Sequence, residues 1–447
     1  MAARFRSDEI ASLLVVGLII REAFSFWTGH PYDTEVWIRN AYYVSQGRDP
    51  YTLMAPVAGI SFAYLNQGLP SVGYLPLWSL MLGAIYLLYS LLPGANRFVL
   101  YFLVKQPPVL GDLALGYLVY RALHHWGAAP DVAIKGLRFW VFFPYAVMIS
   151  AIWGQFDAIV ASLIVLSLLA LGPWKRSIVD GLGILLKSLP LIFVPYNVFR
   201  GRGASRWSAV LALGIPALST WLMFVIFGWD SLGISRMVTY SAHGNFQGLT
   251  YAAVVLSYAS PLLSGAGGVV FYGLGLTWLF AVILVGFLAP RVFSGGAPRS
   301  VVQSFLLITA VFFLTRWEVN EQYLLYLLPL LFIDVTLWHP ERKGLFRFTW
   351  ILGLSFLLVN SVLLIRFVGP LYPPAVDFDY FINNFSAAAL PRIIVMQALA
   401  IIFSIHMVQL VVILLRPGSN PVPWLWRLVM AARLGKPRRG ENAQGEP

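Results

Sequence analysis

The stretch that decides the fold lies near the N-terminus, where IASLLVVGLIIREAFSFW (residues 10–27) precedes HPYDTEVW (residues 30–37). The first stretch is apolar and is about as long as a helix that crosses a bilayer. It follows two arginines, and no small-residue cleavage site comes after it, so we expect a retained span with a cytoplasmic N-terminus. The second stretch places two carboxylates, Asp33 and Glu35, just outside that span.

Similar apolar runs recur along the 447 residues, of which 59% are hydrophobic and only 11% are charged. We therefore predict an all-α polytopic membrane protein with about eleven transmembrane helices, plus interfacial and re-entrant helices and an acidic first outer loop over residues 28–99. One membrane domain would occupy residues 1–432, and residues 433–447 would form a basic, polar cytoplasmic tail. The absence of cysteine excludes disulfides, thiolate metal sites and cysteine nucleophiles.

The positions of the basic clusters set the expected topology, because lysine and arginine concentrate in cytoplasmic loops. If every basic cluster lies on the cytoplasmic side, residues 74–92 must lie along the outer interface and residues 178–199 must form a re-entrant hairpin. Alternatively, residues 178–199 form an ordinary span, which would place residues 200–206 outside. The other spans are expected at residues 100–120, 137–152, 156–171, 207–227, 266–288, 301–315, 322–338, 346–367 and 391–415. Both termini would be cytoplasmic, and a prokaryotic plasma membrane is the favoured location.

The acidic pair in the first outer loop has two interpretations. Asp33 and Thr34 could simply cap a helix expected over residues 35–46, with Glu35 favoured by the helix dipole. Alternatively, one carboxylate takes a proton from an attacking hydroxyl while the second orients it. The pair could also bind a divalent cation, Mg²⁺ or Mn²⁺, through its oxygens.

Two further motifs carry charge into apolar surroundings. Lys105-Gln106-Pro107-Pro108 opens the second span at its outer end, where the lysine could reach lipid headgroups or hold a phosphate. Asp112 lies about two turns deeper on the same face and must face the protein interior. Lys187 lies in the middle of the 178–199 segment, so it must meet a partner or a polar cavity.

Outer turns supply the remaining candidates. Trp153-Gly154-Gln155-Phe156-Asp157 could be a tight capping turn, or Gln155 and Asp157 could hydrogen-bond sugar hydroxyls. Arg316 with Glu318 and Glu321 could be an ion-paired rim or a phosphate site. The weaker candidates are Arg236, His243, Asn245, Gln247 and Arg366, and we interpret Asp377-Phe378-Asp379 as a solvated loop. Phosphate-binding glycine loops and zinc-protease motifs are not found, which disfavours nucleotide-driven chemistry.

Four features together resemble the C-type superfamily of polytopic glycosyltransferases that use polyprenyl-phosphate-linked sugars. The features are Asp33-x-Glu35 followed by Gly47-Arg48-Asp49-Pro50-Tyr51 and Tyr74-Leu75-Pro76-Leu77, then Lys105-Gln106-Pro107-Pro108 with Asp112, then Trp153-Gly154-Gln155-Phe156-Asp157, and finally Leu186-Lys187-Ser188-Leu189-Pro190. The acidic loop is similar to a loop of the enzyme that adds the first mannose to glycosylphosphatidylinositol. The motif around Lys105 resembles a region of the dolichol-linked glucosyltransferases.

The resemblance implies an inverting transfer, with mannose favoured, from a dolichyl- or undecaprenyl-phosphate sugar to a lipid-linked glycan, a glycolipid or a protein at the outer face. Asp33 would be the general base and Glu35 the second choice, and some relatives with such a loop are thought to use a metal ion. A secondary transporter or lipid-linked sugar flippase is the main alternative, with Lys187, Asp112 and Asp157 as coupling groups. A noncatalytic assembly subunit is another. No nucleic-acid partner is expected, because the basic tail follows the last span and would meet lipid headgroups.

Overall fold

The computed structural model describes residues 2–62, 67–69, 73–170, 172–235, 247–255, 275–294, 297–416, 422 and 424. The α-helices in chain order are α1 (Ala2–Ser25), α2 (Pro31–Ser45), α3 (Pro76–Ser90), α4 (Arg97–His125), α5 (Pro130–Val141), α6 (Pro144–Val147), α7 (Asp157–Leu169), α8 (Pro173–Leu186), α9 (Val194–Arg200), α10 (Ala204–Phe227), α11 (Thr277–Val292), α12 (Pro298–Thr315), α13 (Leu324–Leu337), α14 (Lys343–Asn360), α15 (Pro374–Asn384) and α16 (Ala389–Leu415).

Short segments connect these helices. A π-helical segment, Met148–Trp153, continues α6, and 3₁₀ segments occupy Leu189–Phe193, Glu321–Tyr323, Pro340–Arg342 and Ile365–Val368. Two strands of two residues each, β1 (Gln247–Gly248) and β2 (Glu318–Val319), pair in parallel. The predicted all-α class is therefore confirmed, with one small strand pair added.

Within the described residues, four helices are long and apolar enough to cross a membrane, namely α4, α10, α12 and α16. A fifth span is possible if α5 and the bent continuation through α6 and the π segment count as one, with a bend of 43°. The predicted count of about eleven is not confirmed. The expected span over 346–367 ends early, because α14 stops at Asn360. The expected span over 266–288 and the tail over 433–447 lie partly or wholly outside the described residues.

Helix α4 lies at the centre of the bundle, because α1, α3, α5, α7 and α13 all pack against it. Glycines allow two of these close approaches. A Cβ atom on Gly111 would lie 2.5 Å from a side-chain carbon of Ile159 in α7, and one on Gly116 would lie 2.8 Å from the Trp140 ring in α5. Small residues of this kind let membrane helices approach closely and gain packing energy.

The segment 178–199 folds back on itself in the way predicted for a re-entrant hairpin. Helix α8 ends at Leu186, and the 3₁₀ segment and α9 return the chain. The two arms have similar lengths, about 21 and 20 Å, from their residue counts and helical rises. Arg176 near the start and Arg200 at the end line the same cavity, so both ends lie on one side and Lys187 lies at the tip. An ordinary span would separate these ends.

Candidate active site

Asp33 lies in the first turn of α2, which begins earlier than the sequence predicts. The cap is His30 rather than Asp33 or Thr34, since the His30 Nδ1 atom accepts a hydrogen bond from the Asp33 backbone N–H at 3.3 Å. Pro31 occupies the first helical position, where its fixed φ suits a helix start. The Asp33 carboxylate therefore lies at the positive end of the helix dipole.

The Asp33 carboxylate is oriented through one of its two oxygens. Its Oδ2 atom accepts hydrogen bonds from Trp153 Nε1 and Gln155 Nε2, both at 2.7 Å. Within the described part of the chain, Oδ1 accepts no hydrogen bond, and the side chain remains 24% exposed. One oxygen is thus held in place while the other is available to a substrate, as a general base requires.

Three aromatic rings surround this carboxylate. His30 stacks on Trp153 with a centroid distance of 5.4 Å, and Phe367 lies 5.6 Å from Trp153 and 6.1 Å from His30. Backbone hydrogen bonds join the same loops, from Gly29 N–H to the Phe367 carbonyl at 2.8 Å and from His30 N–H to the Trp153 carbonyl at 3.3 Å. Three separate segments of the chain therefore meet at Asp33.

Gly154 produces the turn that lets Trp153 and Gln155 reach the same carboxylate oxygen. Its φ of +89° lies in the left-handed region, which L side chains rarely adopt. A Cβ atom there would also lie 3.2 Å from Cε and Cγ of Lys105, whose stem passes beneath the turn.

We predict that Gly154→Ala costs about 1–2 kcal/mol of stability from the backbone conformation alone. It should also lower kcat by up to about a hundredfold, because misplacing a catalytic group by about 1 Å has effects of that size. Steady-state transfer kinetics and thermal melting test this. Gly127→Ala is a suitable control, since Gly127 also has a positive φ, +100°, but nothing lies within 4 Å of its added Cβ atom. Equal kinetics for both variants would contradict the prediction.

Glu35 has a different environment from Asp33, although the two were predicted to act together. It is fully buried, and its Oε1 atom accepts a hydrogen bond from Arg39 Nε at 2.7 Å. Its Oε2 atom accepts the Phe62 backbone N–H at 2.9 Å. Both oxygens are engaged within the loop, so this arrangement does not fit a metal ion shared with Asp33. Across the described residues, no group of three or more acidic or histidine side chains could hold a metal ion.

Lys105 is buried and binds the first residue of the acidic outer loop. Its Nζ atom donates to the Thr28 carbonyl at 2.9 Å and lies 3.3 Å from the Thr28 hydroxyl. The ammonium also lies 5.2 Å from the centre of the Tyr101 ring. Lys105 thus joins α4 to the start of the outer loop, beside Gly154.

Asp112 faces the protein interior, as predicted. Its carboxylate forms a buried ion pair with Arg21. Both Nε and Nη2 of Arg21 lie 2.8 Å from Asp112 Oδ2. Trp140 Nε1 donates to Oδ1 at 2.9 Å and the Ser150 hydroxyl to Oδ2 at 2.8 Å. This buried network joins α1, α4, α5 and the π segment. Arg21 was not among the predicted site residues, although a charge inside an apolar run is a signal in itself.

Asp157 and Lys187 are partners of one another. Lys187 Nζ lies 2.8 and 3.0 Å from the two Asp157 oxygens, and the Tyr326 hydroxyl also donates to Asp157. The rings of Tyr74, Phe156 and Tyr323 surround the ammonium, each with its centre about 5 Å away. The predicted partner for Lys187 is thus this carboxylate, and the tip of the hairpin is fixed beside the turn that holds Asp33.

A second polar group lies close to Asp33. Asn360 Nδ2 donates to Glu321 Oε1 at 2.8 Å, and Arg366 Nε pairs with Asp379 Oδ2 at 2.9 Å. Burial raises the pKa of Glu321 above its usual range, the Asn360 hydrogen bond and the Arg366 charge oppose that rise, and the negative charge of Asp33 adds to it. Asp379 is only 8% exposed, so its interpretation as part of a solvated loop was wrong.

The remaining candidates have other contacts or fall outside the described residues. The Arg316 guanidinium lies 5.0 Å from the Trp278 ring centre, and Glu318 Oε1 accepts a hydrogen bond from Asn320 at 2.7 Å. The strand pair joins Glu318 to Gln247. Three of the weaker candidates fall outside the described residues, namely Arg236, His243 and Asn245.

The pH dependence of the site should reflect His30. Burial lowers the pKa of this imidazole below its ordinary value of 6.5, although the Asp33 charge opposes the shift. Between the lowered pKa and 6.5, the folded chain binds fewer protons than the unfolded chain, so stability falls as the pH drops through that window. Protonation would also remove the Nδ1 acceptor that caps α2.

We therefore expect transfer activity and melting temperature to fall as the pH is lowered below 6.5. His30→Asn keeps an oxygen that can cap α2, but asparagine does not titrate in this pH range. The variant should therefore lose less activity and less stability as the pH is lowered. Profiles of kcat/KM and melting temperature against pH, for both proteins, provide the test. Identical acid limbs would contradict the role of His30.

A comparison of the sequence with known protein families identifies the family of this chain. The model of Glycosyltransferase family 87 matches residues 76–315, more than half of the chain. The matched range includes Lys105, Asp112, Gln155, Asp157 and Lys187, whereas Asp33 precedes it. No curated protein matches the chain. Together these observations show that the chain belongs to glycosyltransferase family 87, a family of the polytopic C type that depends on polyprenyl-phosphate-linked sugars.

Proposed function

We propose that this glycosyltransferase moves a sugar, with mannose the favoured one, from a polyprenyl-phosphate donor to an acceptor hydroxyl at the outer membrane face, with inversion at the anomeric carbon. Asp33 is the general base in this proposal. The observation that carries it is the geometry of that carboxylate, which is fixed through Oδ2 and available through Oδ1.

The reaction would proceed in one displacement. The acceptor oxygen attacks the anomeric carbon from the side opposite the phosphate, the bond from that carbon to the phosphate oxygen breaks, and Asp33 takes the hydroxyl proton. Polyprenyl phosphate leaves with the bonding electrons. The Trp153 and Gln155 hydrogen bonds orient the base throughout, and Lys105 and the Asp157–Lys187 pair support the turn that carries them.

Arg366 is the cation best placed to stabilise the departing phosphate. It precedes Phe367, whose ring packs against His30 and Trp153, and this supports a position beside the Asp33 site. Arg392 lies next to it, with Nη1 3.3 Å from the Asn360 carbonyl. Guanidinium groups fixed by ion pairs provide preorganised stabilisation of a developing negative charge. Arg316 remains a further candidate for this role.

Helix α15 supports entry of a lipid donor beside this site. One side of the helix holds Asp379 against Arg366, whereas Phe378, Phe381 and Phe385 are exposed. Exposed aromatic residues on a short helix are typical of a segment that lies in a membrane interface. A polyprenyl chain in the outer leaflet would then place its phosphate near Arg366.

A donor panel tests the proposal. Purified protein should transfer sugar from synthetic polyprenyl-phosphate mannose to a membrane lipid extract, more efficiently than from the glucose and pentose analogues. The product should have the opposite anomeric configuration to the donor by nuclear magnetic resonance. Preference for another sugar would overturn the mannose assignment, and retention of configuration would overturn the single displacement.

A further inference from the structure

A basic cavity lies at the end of the bundle opposite Asp33. Helix α7 separates the two ends, because it starts beside Gln155 and, near its other end, the Ser167 carbonyl accepts a hydrogen bond from Arg176 Nε at 3.1 Å. The 13 residues of α7 place the cavity about 20 Å from the catalytic turn. None of the contacts described for the Asp33 site involves this cavity.

The cavity has a net positive lining. It encloses about 340 Å³ between α8, α9 and the start of α10, and three arginines, Arg176, Arg200 and Arg202, line it. The lining contains one carboxylate, Asp180, whose Oδ2 atom lies 3.4 Å from Asn197 Nδ2. Arginine forks match the geometry of a phosphate group, so the cavity suits an anion of that kind.

A second basic cavity adjoins the first. This second cavity, of about 520 Å³, shares Arg200 and Arg202 with the first and adds Arg206. The rest of its wall is formed mainly by apolar and aromatic residues, namely Tyr196, Phe199, Pro290 and Phe293. Four arginines line the two cavities together, so they suit the phosphate of an anionic ligand, and the aromatic residues supply apolar contacts beside it.

Aromatic anchors place this cavity at membrane-interface depth. Trp174 and Trp207, next to the basic lining, are 52% and 67% exposed, and α10 exposes Leu218, Val225 and Ile226 beyond them. Tryptophan is enriched at the level of lipid headgroups, and basic pockets there attract anionic lipids. The concentration of arginine at this end marks it as the cytoplasmic one.

We propose that this cavity binds the phosphate headgroup of an anionic phospholipid from the cytoplasmic leaflet. The headgroup would lie between Arg200, Arg202 and Arg176, and the acyl chains would lie along the exposed apolar residues of α10, which begins beside the cavity. The bound lipid would join the two arms of the hairpin whose tip carries Lys187, and so it should raise the melting temperature of the protein.

Native mass spectrometry of the full chain in detergent tests the proposal, with phosphatidylglycerol and phosphatidylcholine of equal chain length as probes. Phosphatidylglycerol should be retained in preference to phosphatidylcholine. Arg202→Gln alone should weaken its binding about fivefold, and Arg200→Gln with Arg202→Gln about thirtyfold, since each basic group contributes about that factor near an anionic lipid. Arg202 is exposed, so its replacement does not endanger the fold.

The matched control is Arg121→Gln, which removes an exposed charge at the same end of the bundle but outside the cavity. It should leave phosphatidylglycerol binding unchanged. Equal retention of the two lipids, or wild-type retention by the double variant, would overturn the proposal. Inorganic phosphate that binds the cavity as tightly as phosphatidylglycerol would also overturn it and identify a soluble anion as the ligand.

Discussion

Asp33→Asn is expected to lower kcat for glycosyl transfer by about 10²–10⁴-fold, the range typical of a lost general base. The asparagine side chain has almost the same shape, and its oxygen can still accept the hydrogen bonds from Trp153 and Gln155. The fold should therefore persist while proton transfer is lost. Transfer kinetics with a saturating donor, together with melting curves, measure the two effects separately.

Asp377→Asn is the matched control for this variant. Asp377 is an exposed acid at the start of α15, two residues from Asp379, so its loss changes the local charge by the same amount. It should retain nearly full activity. If Asp33→Asn were as active as this control, Asp33 would not be the base.

Glu35→Gln should produce the largest loss of stability, about 3–5 kcal/mol, because it removes one partner of a buried ion pair. The Arg39 charge would remain fully buried in the loop, where its Nη1 atom also donates to the Met54 carbonyl at 3.0 Å. Thermal melting in detergent should show the effect directly.

The double variant Glu35→Gln with Arg39→Met separates a structural role from a catalytic one. Removing both charges should recover part of the lost stability, since no unpaired charge remains. Transfer activity should recover along with the folded fraction. A double variant that melts like the wild type but lacks activity would show that Glu35 takes part in the chemistry.

The sequence predicted the class of the fold, but not how each charge is used. Apolar runs of membrane length predict helices wherever they occur. Their number was not confirmed, since several segments are shorter or broken, as where α14 ends at Asn360. The hairpin around Lys187 could be predicted, because basic residues flank it at both ends.

Partners across the fold could not be predicted, because nothing local connects the residues involved. Asp112 and Arg21 are 91 positions apart, and Asp157 and Lys187 are 30 apart. Each charge could be recognised as costly in a membrane, but its partner depends on how the helices pack. The environments of Asp33 and Glu35 could not be predicted either. The two acids are only two positions apart, yet Asp33 is partly exposed and Glu35 is buried in an ion pair with Arg39.

In the proposed reaction, this chain breaks the bond between sugar and polyprenyl phosphate and passes the sugar to an acceptor. A donor labelled separately in its sugar and in its lipid tests this most directly, with purified protein in proteoliposomes that also contain acceptor lipid. We expect the sugar label to move to the acceptor while the lipid label appears as free polyprenyl phosphate. Transfer of both labels together across the bilayer, with the donor intact, would contradict it and identify a flippase.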